Sequence, residues 1–260
     1  MAYEHITVER DGPITIITIN RPAVLNALHT PAHFELDAAF NAFGADPDQW
    51  MAILTGAGDR AFSAGNDLKH QAAGGDMSRP PSGFAGLAER FDLTKPLIAA
   101  VNGLALGGGF EAALACDLII ADERAVFALP EPKVGLAALG GGLHRLPRTI
   151  GVKRAMGMIL TGRRVSAQEG LELGFVNEVA PAGDSLGAAR RWAAQILECG
   201  PMSVRASKAA VNRGLDELTL AVAMAKQRGY PEVSALLSSE DFKEGPRAFS
   251  EKRAPNWQGR

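Results

Sequence analysis

The chain has 260 residues, 47% hydrophobic and 22% charged, with a net charge of −2 and an isoelectric point near 6.2. That length supports one large domain or two small ones burying most of their surface, and the charge balance excludes a nucleic-acid binder held by bulk positive charge. Cys116 and Cys199 have no paired spacing, which excludes a disulfide framework or thiolate metal site, and no apolar run approaches the roughly 18 residues of a membrane span.

In chain order, Ile6-Thr7-Val8-Glu9-Arg10 and Ile14-Thr15-Ile16-Ile17-Thr18-Ile19 flank Asp11-Gly12 and predict a β-hairpin. Thr30 and Pro31 have the pattern of an N-cap and first helical residue, leading into Phe34, Leu36, Ala39, Phe40 and Phe43. Ala52-Ile53-Leu54-Thr55 predicts a short buried strand. Gly56-Ala57-Gly58-Asp59-Arg60-Ala61 has the glycine spacing of a dinucleotide fold. Polar Phe62-Ser63-Ala64-Gly65-Asn66-Asp67 follows where that fold requires an apolar helix, which argues against a nicotinamide site. Residues 70–83, with Gly74, Gly75, Pro80, Pro81 and Gly83, predict a mobile surface loop. Strands are predicted at 96–101, 117–121 and 126–129.

From Leu143 onward the pattern is helical apart from Phe175-Val176-Asn177-Glu178-Val179. Ser166 and Glu169 have capping-box spacing, and helices are predicted over 185–198 and 203–226. His29 and His33 stand four apart without a third ligand, which places them as surface helix residues rather than a metal site. With no sequence repeat and no linker, the chain reads as one α/β domain with a C-terminal helical extension. The N-terminus Met1-Ala2-Tyr3-Glu4-His5 lacks a signal pattern, so a reducing, cytoplasmic setting is expected.

The most informative stretch is Gly107-Gly108-Gly109-Phe110-Glu111, between the strand-like Pro96-Leu97-Ile98-Ala99-Ala100-Val101 and the apolar Ala112-Ala113-Leu114-Ala115. Glycines let a ligand approach the backbone, and a helix starting there would present free N–H groups beside the Glu111 carboxylate. Such a site suits chemistry in which charge develops on an oxygen while a neighbouring acid or base moves a proton. The same residues also fit a tight turn with a dipole-compensating glutamate.

From about residue 5 to 255 the chain resembles the crotonase superfamily, the enoyl-CoA hydratase/isomerase family. The matching segments are Asn20-Arg21-Pro22 with Asn26-Ala27-Leu28, then Ala61-Phe62-Ser63-Ala64-Gly65-Asn66-Asp67-Leu68. Ala100-Val101-Asn102-Gly103 through Glu111, Phe127-Ala128-Leu129-Pro130-Glu131 and Leu160-Thr161-Gly162-Arg163 follow in the family's order. The resemblance implies a spiral of repeated ββα units. Residues 1–200 would form the core, and 201–260 a helical trimerisation region supporting a homotrimer or dimer of trimers. It implies an oxyanion hole from the backbone N–H groups of Asn66 and Gly108, which would bind the thioester carbonyl of an acyl-CoA. Glu111 and Glu131 match the two glutamates that, in the family's hydratases, hold the water, one taking its proton as it attacks Cβ and the other delivering a proton to Cα.

Ala64, Asp67, Leu68 and Lys69 match the stretch lining the thioester and pantetheine channel, and Lys252 matches a lysine that reaches a CoA phosphate. Arg21 and Val24 match the loop that grips the adenosine end. No metal or redox cofactor is implied, since coenzyme A arrives as part of the substrate; no nucleic-acid or membrane partner is implied either. At Ala138-Leu139, where many hydratases carry Pro-Gly, Leu139 keeps a backbone N–H for placing the water but adds bulk to the acyl pocket. Gly109-Phe110-Glu111 and Phe127-Ala128-Leu129-Pro130-Glu131 also resemble carnitinyl-CoA dehydratases, which carry Pro-Asp at positions 138–139. The paired glutamates favour enoyl-CoA hydration over carnitinyl-CoA dehydration or an isomerase working mainly through Glu131. Together with the lack of basic excess they also disfavour a non-catalytic, RNA-associated homologue.

Overall fold

The computed structural model describes residues 3–260, in which the apolar runs resolve into ten strands. These are β1 (Ile6–Asp11), β2 (Ile14–Ile19), β3 (Met51–Gly56), β4 (Ala61–Ser63), β5 (Leu97–Val101), β6 (Leu104–Leu106), β7 (Leu118–Asp122), β8 (Val126–Ala128), β9 (Val165–Ser166) and β10 (Glu178–Ala180). One mixed sheet has the order β1-β2-β3-β5-β7-β10, with only the β1–β2 pair antiparallel. The other has the order β4-β6-β8-β9, antiparallel only between β8 and β9. Every residue of β3 and β5 is buried, as a parallel sheet covered on both faces requires.

Three successive units step from the first sheet to the second and then turn. β3-β4 leads to α2 (Leu68–Ala72), β5-β6 to α3 (Gly108–Leu114), and β7-β8 to a 3-10 turn over Glu131–Val134. Because β4, β6 and β8 run parallel as neighbours, their carboxyl ends stand side by side. The segments leaving them carry Asn66, Gly108 and Glu131. Open α/β sheets hold ligands outside those ends. Phe110, fully buried in α3, packs on Phe127 and Phe175 with ring centroids 5.1–5.2 Å apart, so the residue next to Glu111 is locked into the core.

On the outer face of the first sheet, α7 (Ser185–Leu197) lays Ala188, Ala189 and Ala193 against Ile16, Ile53 and Ile98. The other face is covered by α1 (Thr30–Ala45), through Leu36, Ala39, Phe40 and Phe43, and by the second sheet. Helices α4 (Gly142–Ile150), α5 (Val152–Thr161) and α6 (Ala167–Leu173) follow β8. The C-terminal layer is α8 (Pro201–Leu215), α9 (Leu220–Lys226), α10 (Pro231–Ser238) and α11 (Glu240–Glu251), with α10 and α11 packed on α8.

Several predicted elements shift. The hairpin forms with Asp11 paired to Ile14, so the reversal falls at Gly12-Pro13. His29, not Thr30, is the N-cap of α1; the Thr30 hydroxyl instead donates to the carbonyls of Asp76 (2.6 Å) and Ser78 (3.0 Å). Thus the segment predicted as a loop over 70–83 begins inside α2 and is tied to α1. His33 is buried rather than at the surface: its Nδ1 accepts the Ala85 N–H at 3.0 Å, and burial lowers its pKa to about 3, which keeps it neutral. The helix predicted over 203–226 breaks at 216–219, where the Thr219 hydroxyl caps the N-terminus of α9 by accepting the Val222 N–H. The segment 175–179, exempted from the helical pattern, leads into β10: Phe175 turns into the aromatic cluster and Asn177 Oδ1 accepts the Ile119 N–H. Ser166 does cap α6 through the Glu169 N–H, but the Glu169 carboxylate pairs with Arg163 instead of closing the box.

Candidate active site

The two predicted oxyanion donors lie on adjoining loops. Leu28 and Asn66 form a parallel bridge whose hydrogen bonds use the Leu28 N–H (to Gly65 O, 2.7 Å) and the Asp67 N–H (to Leu28 O, 2.8 Å). The Asn66 N–H stands outside that ladder. Gly65, at φ 86°, packs so tightly that a Cβ there would sit 2.5 Å from Leu106 O and 2.9 Å from Gly108 N. This contact brings the Asn66 loop against the first turn of α3, where Gly108 N is one of the amides with no partner inside the helix. Gly107 precedes it at φ 53°, ψ −126°, and its N–H is fixed to Ala128 O at 2.9 Å. That backbone conformation, and the nearby Glu131, explain why this position is glycine.

The two glutamates converge on the same turn. A Cβ at Gly107 would lie 2.8 Å from Glu131 Oε1, which places the Glu131 carboxyl directly over the residue preceding the Gly108 donor. Glu131 Oε2 is buried and has no hydrogen-bond partner among the described residues. Glu111 is 4% exposed, and its Oε1 accepts the Gly142 N–H at 2.9 Å. A Cβ at Gly140 would stand 2.7 Å from Glu111 Oε2, so the Gly140-Gly141-Gly142 loop wraps this carboxyl from the other side. Burial, partly offset by the Gly142 N–H and reinforced by Glu131, raises the Glu111 pKa to about 7; burial also raises that of Glu131. Two carboxyls that resist ionisation side by side are suited to holding one proton between them.

This electrostatics carries a stability prediction. The folded pKa of Glu111 lies above its ordinary value of 4.5, so its contribution is full below about pH 4.5 and is lost as pH rises through 7. The loss amounts to about 3 kcal/mol. Urea midpoints at pH 5 and pH 8 should therefore diverge more in the wild type than in Glu111→Gln. Equal divergence in the two proteins would mean that Glu111 titrates normally.

The remaining predicted positions divide. Ala64 is half-buried, with its N–H on Leu25 O, and Asp67 caps α2 by accepting the His70 N–H at 3.2 Å. Leu68 and Lys69 are exposed on α2 beside Asn66. Arg21, expected at the adenosine end, is engaged within the chain: its guanidinium pairs with Asp67 at 3.1 Å and donates to Ala27 O, while Val24 is exposed. The Leu139 side chain is 78% exposed, and its N–H is donated to Ala137 O at 2.9 Å. The water-placing role expected of that N–H is therefore not open in this conformation. Lys252 is the exposed C-cap of α11, which packs on α8 and α10 in the C-terminal layer rather than joining the residues above.

Sequence reasoning missed Gly142, whose N–H holds Glu111, although three glycines before a helix carry the same signal as 107–109. It also missed Phe84, whose ring occupies the space a Cβ at Gly108 would need. Nothing in the local sequence around Phe84 announces that contact.

Two carboxyls, Glu111 buried and Glu131 with one oxygen buried, beside a pair of backbone amides at the carboxyl ends of a parallel sheet are an arrangement suited to acid–base chemistry with an oxyanion hole. Residues 9–260 match the enoyl-CoA hydratase/isomerase family, and the chain belongs to that family, as a hydro-lyase of the crotonase fold. It is 44% identical to a carnitinyl-CoA dehydratase of Salmonella typhi, covering 99% of each chain. Among solved structures it is similar to an enoyl-CoA hydratase of Mycobacterium marinum, at 42% identity, TM-score 0.92, and 98% and 99% coverage. A carnitinyl-CoA hydratase of Mycobacterium avium is also similar, at 43% identity and TM-score 0.78 over the whole of both chains.

Proposed function

We propose that this protein adds water reversibly across the 2,3 double bond of a 2-enoyl-CoA thioester. The observation that carries the reading is Glu131 Oε2, buried over the Gly107-Gly108 turn without a partner among the described residues, while Glu111 lies buried beside the same turn. The thioester carbonyl accepts the N–H groups of Asn66 and Gly108, and its oxygen gains charge as water attacks Cβ. One carboxyl takes the proton from that water and the other gives a proton to Cα. The enolate electrons form the Cα–H bond, and the carboxyls end with their protonation exchanged. Glu131, above the donor turn, is on the thioester side, nearest Cα. Metal is not part of this reading, and the described residues contain no cluster of three or more His, Cys, Asp or Glu suited to an ion.

The test is absorbance at the conjugated enoyl-thioester band with crotonyl-CoA, where wild type should bleach the band and reach the same equilibrium from the 3-hydroxyacyl side. No change in the band from either side would overturn the proposal. A second reading, favoured by the relatives at 43–44% identity, is dehydration of carnitinyl-CoA by the same groups. A kcat/KM at least tenfold higher for the trimethylammonium-bearing enoyl-CoA than for crotonyl-CoA would favour it.

The C-terminal layer supports a homotrimer or dimer of trimers. Leu215, Leu218, Leu220 and Phe249 are each at least 77% exposed on α8, the turn after it, α9 and α11, a large amount of apolar surface for a monomer. Light scattering after size exclusion should give three or six chains, and a clean monomer would contradict this. No helix among the described residues is long and apolar enough to cross a membrane.

A further inference from the structure

A polar cavity of about 320 Å³ opens at the far end of α1, away from the carboxyls. α1 begins beside the Leu28–Asn66 bridge, and its residues Phe40, Asn41, Gly44 and Ala45 line the cavity, roughly 15–20 Å along the helix at 1.5 Å per residue. The opposite wall is the segment leading into β5, with Arg90, Asp92, Thr94 and Lys95, and Arg205 of α8 closes it. This is the amino end of β5, whereas the catalytic groups lie beyond carboxyl ends.

The walls carry two cations, Lys95 and Arg205, with no carboxylate bonded to them among the described residues, and a third, Arg90, that is paired. Arg205 Nε and Nη2 are buried and have no acceptor among the described residues; its only hydrogen bond is from Nη1 to Met202 Sδ at 3.8 Å. Asp241, whose charge acts on Arg205 without pairing with it, accepts the N–H groups of Gln258 (2.7 Å) and Gly259 (3.0 Å). Lys95 Nζ donates to Phe43 O (2.8 Å) and Asp46 O (2.6 Å), neutral carbonyls that leave its charge unpaired and one proton free. Burial, reinforced by repulsion from Arg205 and partly offset by Asp46, pushes the Lys95 pKa down to about 8. Arg90 pairs with Asp37 at 2.7 Å, and the exposed Asp92 carboxyl reaches it only at 3.9 Å; Asp46 directs its carboxylate to Arg10. Facing buried cations with unused donors are costly unless an oxyanion joins them.

We infer that this cavity is a binding site for a phosphate group, held between Lys95 and Arg205 with Arg90 and Thr94 at its rim. The ligand is either free phosphate or the monoester of a small metabolite, since the volume lies at the lower end of small-molecule pockets.

The experiment is thermal unfolding of the full chain at constant ionic strength in chloride, titrated separately with inorganic phosphate and glycerol 3-phosphate. Wild type should show a saturable rise in Tm, as mass action requires for a ligand of the native state. A midpoint for glycerol 3-phosphate at or below that for phosphate assigns the site to a monoester, and the reverse order to the free ion. Arg205→Gln should raise the midpoint at least tenfold. Asn41→Asp, at an exposed lining position, should raise it as well. Lys252→Gln should leave the response in place. The inference is overturned if wild type gives no saturable rise, or if both Arg205→Gln and Asn41→Asp respond as wild type does. It is also overturned if the response vanishes in Lys252→Gln, which would locate the phosphate where the coenzyme A phosphate is expected.

Discussion

Glu131→Gln and Glu111→Gln are each expected to lower kcat for crotonyl-CoA hydration by about 10²–10⁴-fold, the range for removing a positioned acid or base. Glutamine preserves the shape of both side chains and removes only the exchangeable proton. At Glu131 the change falls on the buried Oε2, which has no partner among the described residues, so no structural hydrogen bond among them is lost. At Glu111 the Gly142 N–H can still bond to the amide oxygen. KM should therefore move little, because the effect appears in the transition state rather than in binding. The double variant should be far less than multiplicatively slower, since the two carboxyls serve one water and one proton inventory. Steady-state kinetics with crotonyl-CoA decides the matter. If either single variant retained a tenth of wild-type kcat, that residue would not be one of the two catalytic carboxyls.

The glutamate pair was legible in the chain only through the resemblance. Twenty positions separate Glu111 from Glu131, and periodicity places them on different elements without saying that the elements meet. What brings them together is that β6 and β8 are parallel neighbours in the second sheet, and these strands are three residues long. Of the strands in that sheet, β4 and β6 leave no periodic signal in so few residues, so the hairpin, α1 and the long buried strands were legible while the sheet that builds the site was not. The ββα repetition is hidden for a related reason: the chain between β4 and β5 runs over 64–96, but between β6 and β7 only over 107–117. His33 shows another limit. A polar residue on an amphipathic helix reads as surface, yet here a single backbone N–H from Ala85, a distant segment, satisfies it in the core. Arg21 shows that residue-by-residue transfer can assign a ligand role to a group already held by Asp67.

Because the proposed oxyanion donors are backbone groups, a contrasting pair of variants is informative. Gly109→Ala retains both donors, both glutamates and a helix-favouring residue, and should still reduce kcat/KM by about 10²–10³-fold. Its Cβ would overlap the Ser63 carbonyl oxygen and lie 2.8 Å from the Ser63 carbonyl carbon. That neighbour is backbone, so no rotamer change relieves the overlap, and α3 must move from the strand that leads to Asn66. Separating the donors forfeits much of one oxyanion interaction, about 3–4 kcal/mol in transition-state stabilisation. Asn66→Ala, by contrast, removes only a side chain whose amide bonds to Gln71 Oε1 at 2.7 Å on the surface, and leaves the Asn66 N–H in place. It should retain kcat/KM within about threefold, a loss under 1 kcal/mol. Circular dichroism on Gly109→Ala separates a displaced hole from an unfolded chain. A damaging Asn66→Ala beside an active Gly109→Ala would show that the side chains of these loops, and not their N–H groups, bind the thioester.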